Sequence, residues 1–200
     1  MTSFLCILFS YFIGSFSSAV IVCKTFGLGD PRYQGSNNPG TTNVLRIGGK
    51  KIALIVLIAD ILKGIIPIWI GQLLHVTDTL LVWIGFFAFL GHIYPIFFHF
   101  KGGKGVATGI GVILALSPLT AFFIIITWLI IALITRYSSL AAITSTLLTP
   151  IYAFFFMHKA HLIGISLLCL ILLIKHWRNI HRLIQGTESK IKFQKNKKHI

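Results

Sequence analysis

The feature that most constrains this chain is a set of six long stretches with little or no charge. They run from Met1 to Cys23, Ile52 to Leu74, Thr79 to Phe100, Gly105 to Thr135, Tyr137 to His158 and Ala160 to Ile174. About 20 consecutive apolar residues in a helix cross the hydrocarbon core of a bilayer, and backbone polar groups inside that core must be satisfied within the helix. The stretches therefore predict an all-α, polytopic integral membrane protein. Composition agrees, with 56% hydrophobic and only 11% charged residues, where a soluble domain carries about 25% charged. Residues 1–190 are expected to form one membrane domain, and 191–200 a basic, disordered tail. The N-terminus lacks the basic region of a cleaved signal, so Met1 to Cys23 is expected to be a retained first helix. Cys6, Cys23 and Cys169 are scattered and show no metal-like or paired spacing.

Gly105 to Thr135 decides the topology. At 1.5 Å per residue it would reach about 46 Å as one helix, against a core of about 30 Å, and Ser117-Pro118 sits inside it. Splitting it there makes seven spans. Lys24, Arg32, Arg46, Lys50, Lys51, Lys101, Lys104, Arg136 and the basic tail then share one side, and Lys159 alone lies opposite. The positive-inside rule assigns that side to the cytoplasm and the N-terminus to the outside. The fourth helix is left short, with its positive N-terminus below the cytoplasmic surface, an arrangement suited to anions.

Polar chemistry collects in three segments on the cytoplasmic side. Gly35 to Asn43 (GSNNPGTTN) carries no charge and no large apolar side chain, and it offers N–H groups, hydroxyls and amides at close range. It is not a Walker A loop, since Thr41 follows Gly40 where that motif has Lys. By composition alone an ordinary turn-rich loop is the slightly favoured reading, and Arg46 close behind makes an anion site more plausible. Lys101-Gly102-Gly103-Lys104-Gly105 leads into the short helix, joining glycines, a helix N-terminus and a full positive charge. A flexible basic hinge obeying the positive-inside rule is an equal reading in isolation. Gly48-Gly49-Lys50 repeats the GGK triplet and is read as coincidence. The third segment, Lys175 to Glu188, places Lys175, His176, Asn179 and Arg182 on one stripe if the helix continues. A basic amphipathic helix at the lipid surface would look similar.

Asp60 and Lys63 lie inside the second span, three residues apart, and are expected to form a pair buried between helices. His92-Ile93-Tyr94-Pro95 reads as part of the third helix with a satisfied core histidine. His158 and His161 read as interfacial. The net charge of +14 could suit nucleic acid, but the mean hydropathy of +0.87 does not. Four acids supply no carboxylate cage for Mg or Ca, which speaks against a metal-dependent phosphotransferase. No His has an acid five positions later, so the HxxxxD acyltransferase pattern is absent. The residues alone thus lead to a membrane protein handling anionic, phosphorylated ligands at its cytoplasmic side, as an enzyme or as a transporter or flippase.

At these same residues a family resemblance enters. GSNNPGTTNVLR, GHIYPIFFHFKGGKGVAT, TRYSSL and KHWRNIHRLIQGTE, in this order, resemble the motifs of the PlsY family, bacterial acyl-phosphate:glycerol-3-phosphate acyltransferases with seven transmembrane helices. The resemblance reaches to about Ile191. It departs at Asn37 and Thr41, where the family usually has Gly and Ala, and at Phe16-Ser17.

The resemblance implies transfer of an acyl group from acyl phosphate to the sn-1 hydroxyl of glycerol 3-phosphate, with no cofactor and no metal. It implies a bacterial inner-membrane enzyme, a site facing the cytoplasm, and a functionally linked enzyme that makes the acyl phosphate. Carried over by motif, Ser36, Arg46, Lys104, His176 and Asn179 would be catalytic. Gly35, Asn38, Gly40, Thr41, Asn43, Gly102, Gly103, Gly105, Ser139 (or Ser138) and Glu188 would bind substrate, with Glu188 ordering the third segment.

Overall fold

A computed structural model describes residues 2–191 of the chain. The last nine residues, and with them almost all of the tail expected to be disordered, lie outside the described residues. Among these residues the fold is all-α: α1 (Thr2–Gly14), α2 (Ser18–Thr25), α3 (Thr41–Leu73), α4 (Asp78–Ile93), α5 (Val106–Leu116), α6 (Pro118–Thr135), α7 (Ser138–Phe156), α8 (Leu162–Lys175) and α9 (Trp177–Ile184). Single 3-10 turns at Ile96–Phe98 and Lys159–His161 complete the list.

Four units are apolar and long enough to cross a membrane: α3, α4 with its 3-10 turn, α6 and α7. Two bent pairs reach that length together, α1 with α2 and the Lys159–Lys175 unit with α9. The eleven residues of α5 span only about 16 Å, as the split at Ser117-Pro118 requires. Pro118 opens α6 at its first position, where a missing N–H costs nothing, and the Ser117 hydroxyl caps the helix by accepting from the Thr120 N–H.

Four boundaries differ from the sequence reading. The first span is not one helix, because it bends by 41° between α1 and α2. The bend frees the Phe16 carbonyl, which accepts from Lys63 Nζ at 2.9 Å. Second, α3 starts eleven residues before Ile52, so the polar loop ends at Gly40 and Thr41 to Asn43 are its first turn. Gly49 kinks this helix with φ 76° and ψ −176°, a conformation open essentially to glycine alone. The Gly48-Gly49-Lys50 triplet, read as coincidence, therefore marks a hinge. Third, α4 ends at Ile93, so Tyr94 and Pro95 lie beyond the helix that was expected to contain them. Fourth, a 52° bend at His176 divides α8 from α9.

The core is built around α4, which buries Leu81, Val82, Ile84, Phe86, Phe89 and Ile93. It packs on α1, α3, α5 and α8, meeting Ile68, Val112, Ile165 and Leu168. The α3–α5 contact is backbone-close, since a Cβ on Gly111 would lie 2.1 Å from the Ile61 carbonyl oxygen. Leu133, Ile134, Phe154, Phe155 and Ile163 point outward, as side chains facing lipid do.

Candidate active site

The α3 N-terminus, the α4–α5 link, the α6–α7 link and the chain from α8 onward meet at one end of the bundle. Lys104, the residue before the Gly105 cap of α5, stands at their centre. Gly105 adopts φ 87°, which lets the chain turn from the extended link into α5 with Lys104 directed across the helix end. Lys104 Nζ donates to Asn179 Oδ1 at 2.5 Å. Asn179 Nδ2 in turn donates to Glu188 Oε1 at 2.7 Å.

Glu188 is the organiser of the cluster. Its Oε1 also accepts from Ser139 Oγ at 2.7 Å, and its Oε2 accepts from Arg182 Nε at 2.6 Å. Burial opposes its charge, but the hydrogen bonds from Ser139, Asn179 and Arg182 outweigh that and hold the carboxyl below its ordinary pKa. Arg46 reaches the residue after it, donating from Nη2 to Ser189 Oγ at 3.0 Å. The chain beyond Glu188 is tied to the α6–α7 link, as the Ile191 N–H donates to the Arg136 carbonyl at 2.7 Å.

Electrostatically the site is cationic. Glu188, Arg182 and Arg46 all act on the Lys104 charge, so three cations face one carboxylate. Burial is the largest influence on Lys104, pushing its ammonium down to about 8, and Arg182 and Arg46 push the same way while Glu188 opposes. A lysine in that state gains strongly from an arriving anion, which supplies the charge its surroundings lack. His176 is 2% exposed and its Nδ1 lies 2.9 Å from the Leu172 carbonyl oxygen. A carbonyl only accepts, so Nδ1 carries the proton and Nε2 is left as the acceptor.

The first loop is held by Asn43. Its Oδ1 accepts from the Ser36 N–H at 2.8 Å, and its Nδ2 donates to the carbonyls of Pro31 at 3.0 Å and Gln34 at 2.9 Å. The amide of Asn43 is thus committed to shaping the loop, while Gly35 and Ser36 stand exposed. Asn38 and Gly40 are partly buried beside them, and the Gly40 N–H donates to the Asn38 carbonyl. The Thr41 hydroxyl is buried without a hydrogen-bond partner among the described residues. This loop reaches the second one at Pro39, whose carbonyl oxygen borders Gly103.

Lys104, Asn179, Ser139 and Glu188, expected in the site from three separate segments, are therefore joined by hydrogen bonds. Arg46 meets them through Ser189, and the Gly35–Ser36 turn borders the cluster through Pro39. Lys175, on the same stripe by spacing, points elsewhere and lies over the Tyr94 ring at 4.2 Å, because the bend at His176 separates it from α9. Two members of the cluster were missing from the expected set. Arg182 carried a signal in its spacing from Asn179, whereas Ser189 carried none.

Fold and site together define a class: a multi-pass helical membrane protein whose loops converge on a cationic cluster suited to phosphate groups. The comparisons narrow it. Residues 4–186 match the family model described as glycerol-3-phosphate acyltransferase. The chain is 47% identical over 192 residues to the glycerol-3-phosphate acyltransferase of Vibrio cholerae serotype O1, covering 96% of this chain and 91% of that one. It is 53% identical over 186 residues to that of Ruthia magnifica, covering 92% and 94%. It resembles the crystal structure of PlsY, an integral membrane glycerol 3-phosphate acyltransferase, in its glycerol 3-phosphate form. That likeness has a TM-score of 0.92 and 38% identity and covers 97% of this chain and 100% of the other. The lysophosphatidic acid form gives 0.89 at 38% identity, covering 95% of each. The chain belongs to the glycerol-3-phosphate acyltransferase family and is an acyltransferase, which sets the transporter reading aside.

Proposed function

We propose that this protein transfers a fatty acyl group from acyl phosphate to the sn-1 hydroxyl of glycerol 3-phosphate, releasing lysophosphatidic acid and inorganic phosphate. The observation that carries the reading is the chain of contacts Lys104–Asn179–Glu188–Ser139 at the N-terminus of a short apolar helix. Three cations, a helix end and a glycine-rich link there suit a substrate pair bearing two phosphates.

An acyl phosphate is a mixed anhydride, so its carbonyl carbon is already activated. The glycerol oxygen forms the new C–O bond, the bond from the carbonyl carbon to the phosphate oxygen breaks, and the leaving phosphate takes the hydroxyl proton. The protein's share is alignment and charge stabilisation. In this reading Lys104 and Arg46 bind phosphate, with Gly102, Gly103 and Gly105 letting it approach the backbone. Ser139, His176 and Asn179 place the glycerol moiety, His176 accepting at Nε2. Ser36, Gly35, Asn38, Gly40 and Thr41 hold the acyl phosphate on the turn that Asn43 braces, and Glu188 fixes the rest. The glycerol 3-phosphate and lysophosphatidic acid forms of the similar PlsY structure support the choice of acceptor and product.

The membrane arrangement belongs to the same proposal. The four long units, two bent pairs and short α5 make seven crossings, with the N-terminus outside and the site in the cytoplasm of a bacterial inner membrane. The distribution of Lys and Arg supports it. A partner enzyme supplies acyl phosphate. The test mixes detergent-purified protein with palmitoyl phosphate and glycerol 3-phosphate and measures phosphate and lysophosphatidic acid, with acyl-CoA and acyl-carrier protein as competing donors. Product from a thioester but not from palmitoyl phosphate would overturn the donor. Labelling of single cysteines placed at Lys159 and Lys190 from opposite faces of oriented vesicles tests the topology.

A further inference from the structure

We propose that His92 is a positioning residue for this reaction, fixed from beneath by Asp60 and Lys63 and holding the Gly102–Lys104 turn where Lys104 meets Asn179. Asp60, Lys63 and His92 are all nearly buried, at 1%, 7% and 7% exposure. Lys63 Nζ lies 2.7 Å from Asp60 Oδ1, 2.9 Å from the Phe16 carbonyl oxygen and 3.2 Å from His92 Nδ1. The Ser18 hydroxyl donates to the same carboxylate oxygen. An ammonium has three hydrogens and no acceptor, so these three neighbours use its donors completely, and Nδ1 of His92 must accept. The separation of His92 Nδ1 from Asp60 Oδ1 is longer, 3.5 Å. Asp60 and Lys63 cancel each other, so a neutral imidazole leaves the buried set without net charge. The ring proton then sits on Nε2.

Nε2 is the atom that faces the site. A Cβ on Gly103 would come within 2.3 Å of it and 3.1 Å from the Pro39 carbonyl oxygen. The Gly103 N–H donates to the His92 carbonyl at 3.2 Å. One residue therefore grips Gly103 through its backbone and its ring, next to Pro39 of the first loop and one position before Lys104. An ion pair serving only to tie helices could sit at any depth. This one lies against His92, sets its tautomer, and so governs the ring and carbonyl that meet Gly103, where the two polar loops touch.

The inference rests on the reading of Lys104 as a phosphate ligand, and Lys104→Ala separates the two. Steady-state kinetics of the purified full-length protein are measured with palmitoyl phosphate and glycerol 3-phosphate, alongside thermal unfolding. His92→Ala is expected to raise KM for glycerol 3-phosphate by roughly 10- to 100-fold, the scale that a shift of about 1 Å carries. His92→Gln, whose amide returns a donor near the Nε2 position, is expected to recover most of that loss. Gly103→Ala should do less harm in the His92→Ala background than alone, because removing the ring makes room for the methyl group. A His92→Ala protein with wild-type KM overturns the proposal, including one that only loses active fraction, as a structural role would. Strict additivity in the cycle overturns it as well. Where His92→Ala does not fold, the cycle of His92→Asn with Gly103→Ala decides by the same criterion, since the shorter amide still accepts from Lys63 and leaves the Nε2 position empty. Wild-type KM in Lys104→Ala overturns the phosphate reading itself, whereas an impaired Lys104→Ala beside a normal His92→Ala overturns only the positioning role.

Discussion

Lys104 and Asn179 stand 75 positions apart in the chain, yet Nζ and Oδ1 meet at 2.5 Å. The contact joins the N-terminus of α5 to α9 and links a cation to the carboxylate of Glu188 through one amide. Asn179 thereby holds the ammonium in place without neutralising it. A carboxylate there would form an ion pair that an incoming phosphate had to break.

Lys104→Ala should lower kcat/KM for glycerol 3-phosphate on the order of 100- to 1,000-fold, the scale of losing one aligned charge-stabilising donor. Arg46→Ala should lower it less, because Arg46 is exposed and reaches the cluster only through Ser189. Both proteins should insert and melt near wild type. Lysophosphatidic acid formation by the purified variants checks this.

The pH profile should carry the signature of Lys104. Burial pushes its pKa down to about 8, so the ammonium is present below that value and lost as pH rises through it. For the free enzyme, kcat/KM for glycerol 3-phosphate should fall above about pH 8. A bound phosphate stabilises the charged form, so kcat should hold to higher pH. A profile of kcat/KM that is flat to pH 10 would remove Lys104 from the binding step.

Glu188→Gln should weaken the structure as well as the activity. Glutamine brings two donor hydrogens where Ser139, Asn179 and Arg182 all donate, at a side chain only 6% exposed. Unsatisfied buried donors cost on the order of 1–3 kcal/mol, visible as a lower melting temperature. The wild type should show the linked pH effect. The folded pKa of Glu188 lies below its ordinary value, so its contribution is complete above the ordinary carboxylate range and is lost as pH falls through the folded value. Melting curves taken down the acid range should converge for the two proteins.

Gly49→Ala tests the hinge that was taken for coincidence. No atom lies within 4 Å of the added Cβ, so any effect comes from the backbone at φ 76°. Strain of about 1–3 kcal/mol is expected, and it should tilt the Thr41–Gly48 turns and displace Arg46. A lower melting temperature and a raised KM should appear together. A change in neither would show that the kink straightens at no cost.

The long apolar runs made the helical membrane architecture legible, because hydrocarbon permits a charge-poor chain few other structures. Ser117-Pro118 was equally readable as the end of the short helix. The bends were not. At the break at Ser15–Ser17 the freed Phe16 carbonyl is occupied by Lys63 from another helix, and no pattern within the first 25 residues records that partner. The candidate site was largely readable by residue type, as Lys104, Asn179, Ser139 and Glu188 show. Their mutual contacts were not, since Asn179 serves as a bridge only once the 52° bend at His176 turns α9 across the end of α5. His92 looked like ordinary core because nothing in its own segment mentions Asp60 or Lys63.

Glu188 also gives the site an order of assembly. It ties Ser139, Asn179 and Arg182 together, yet it follows every helix of the described residues. During synthesis the nine described helices are therefore made before the residue that joins their ends. A nascent chain stopped at Gly186 would hold its spans and lack its organiser. A bundle inserted before Glu188 is made thus lacks the joined site and has no means to draw acyl groups into its half-built surroundings.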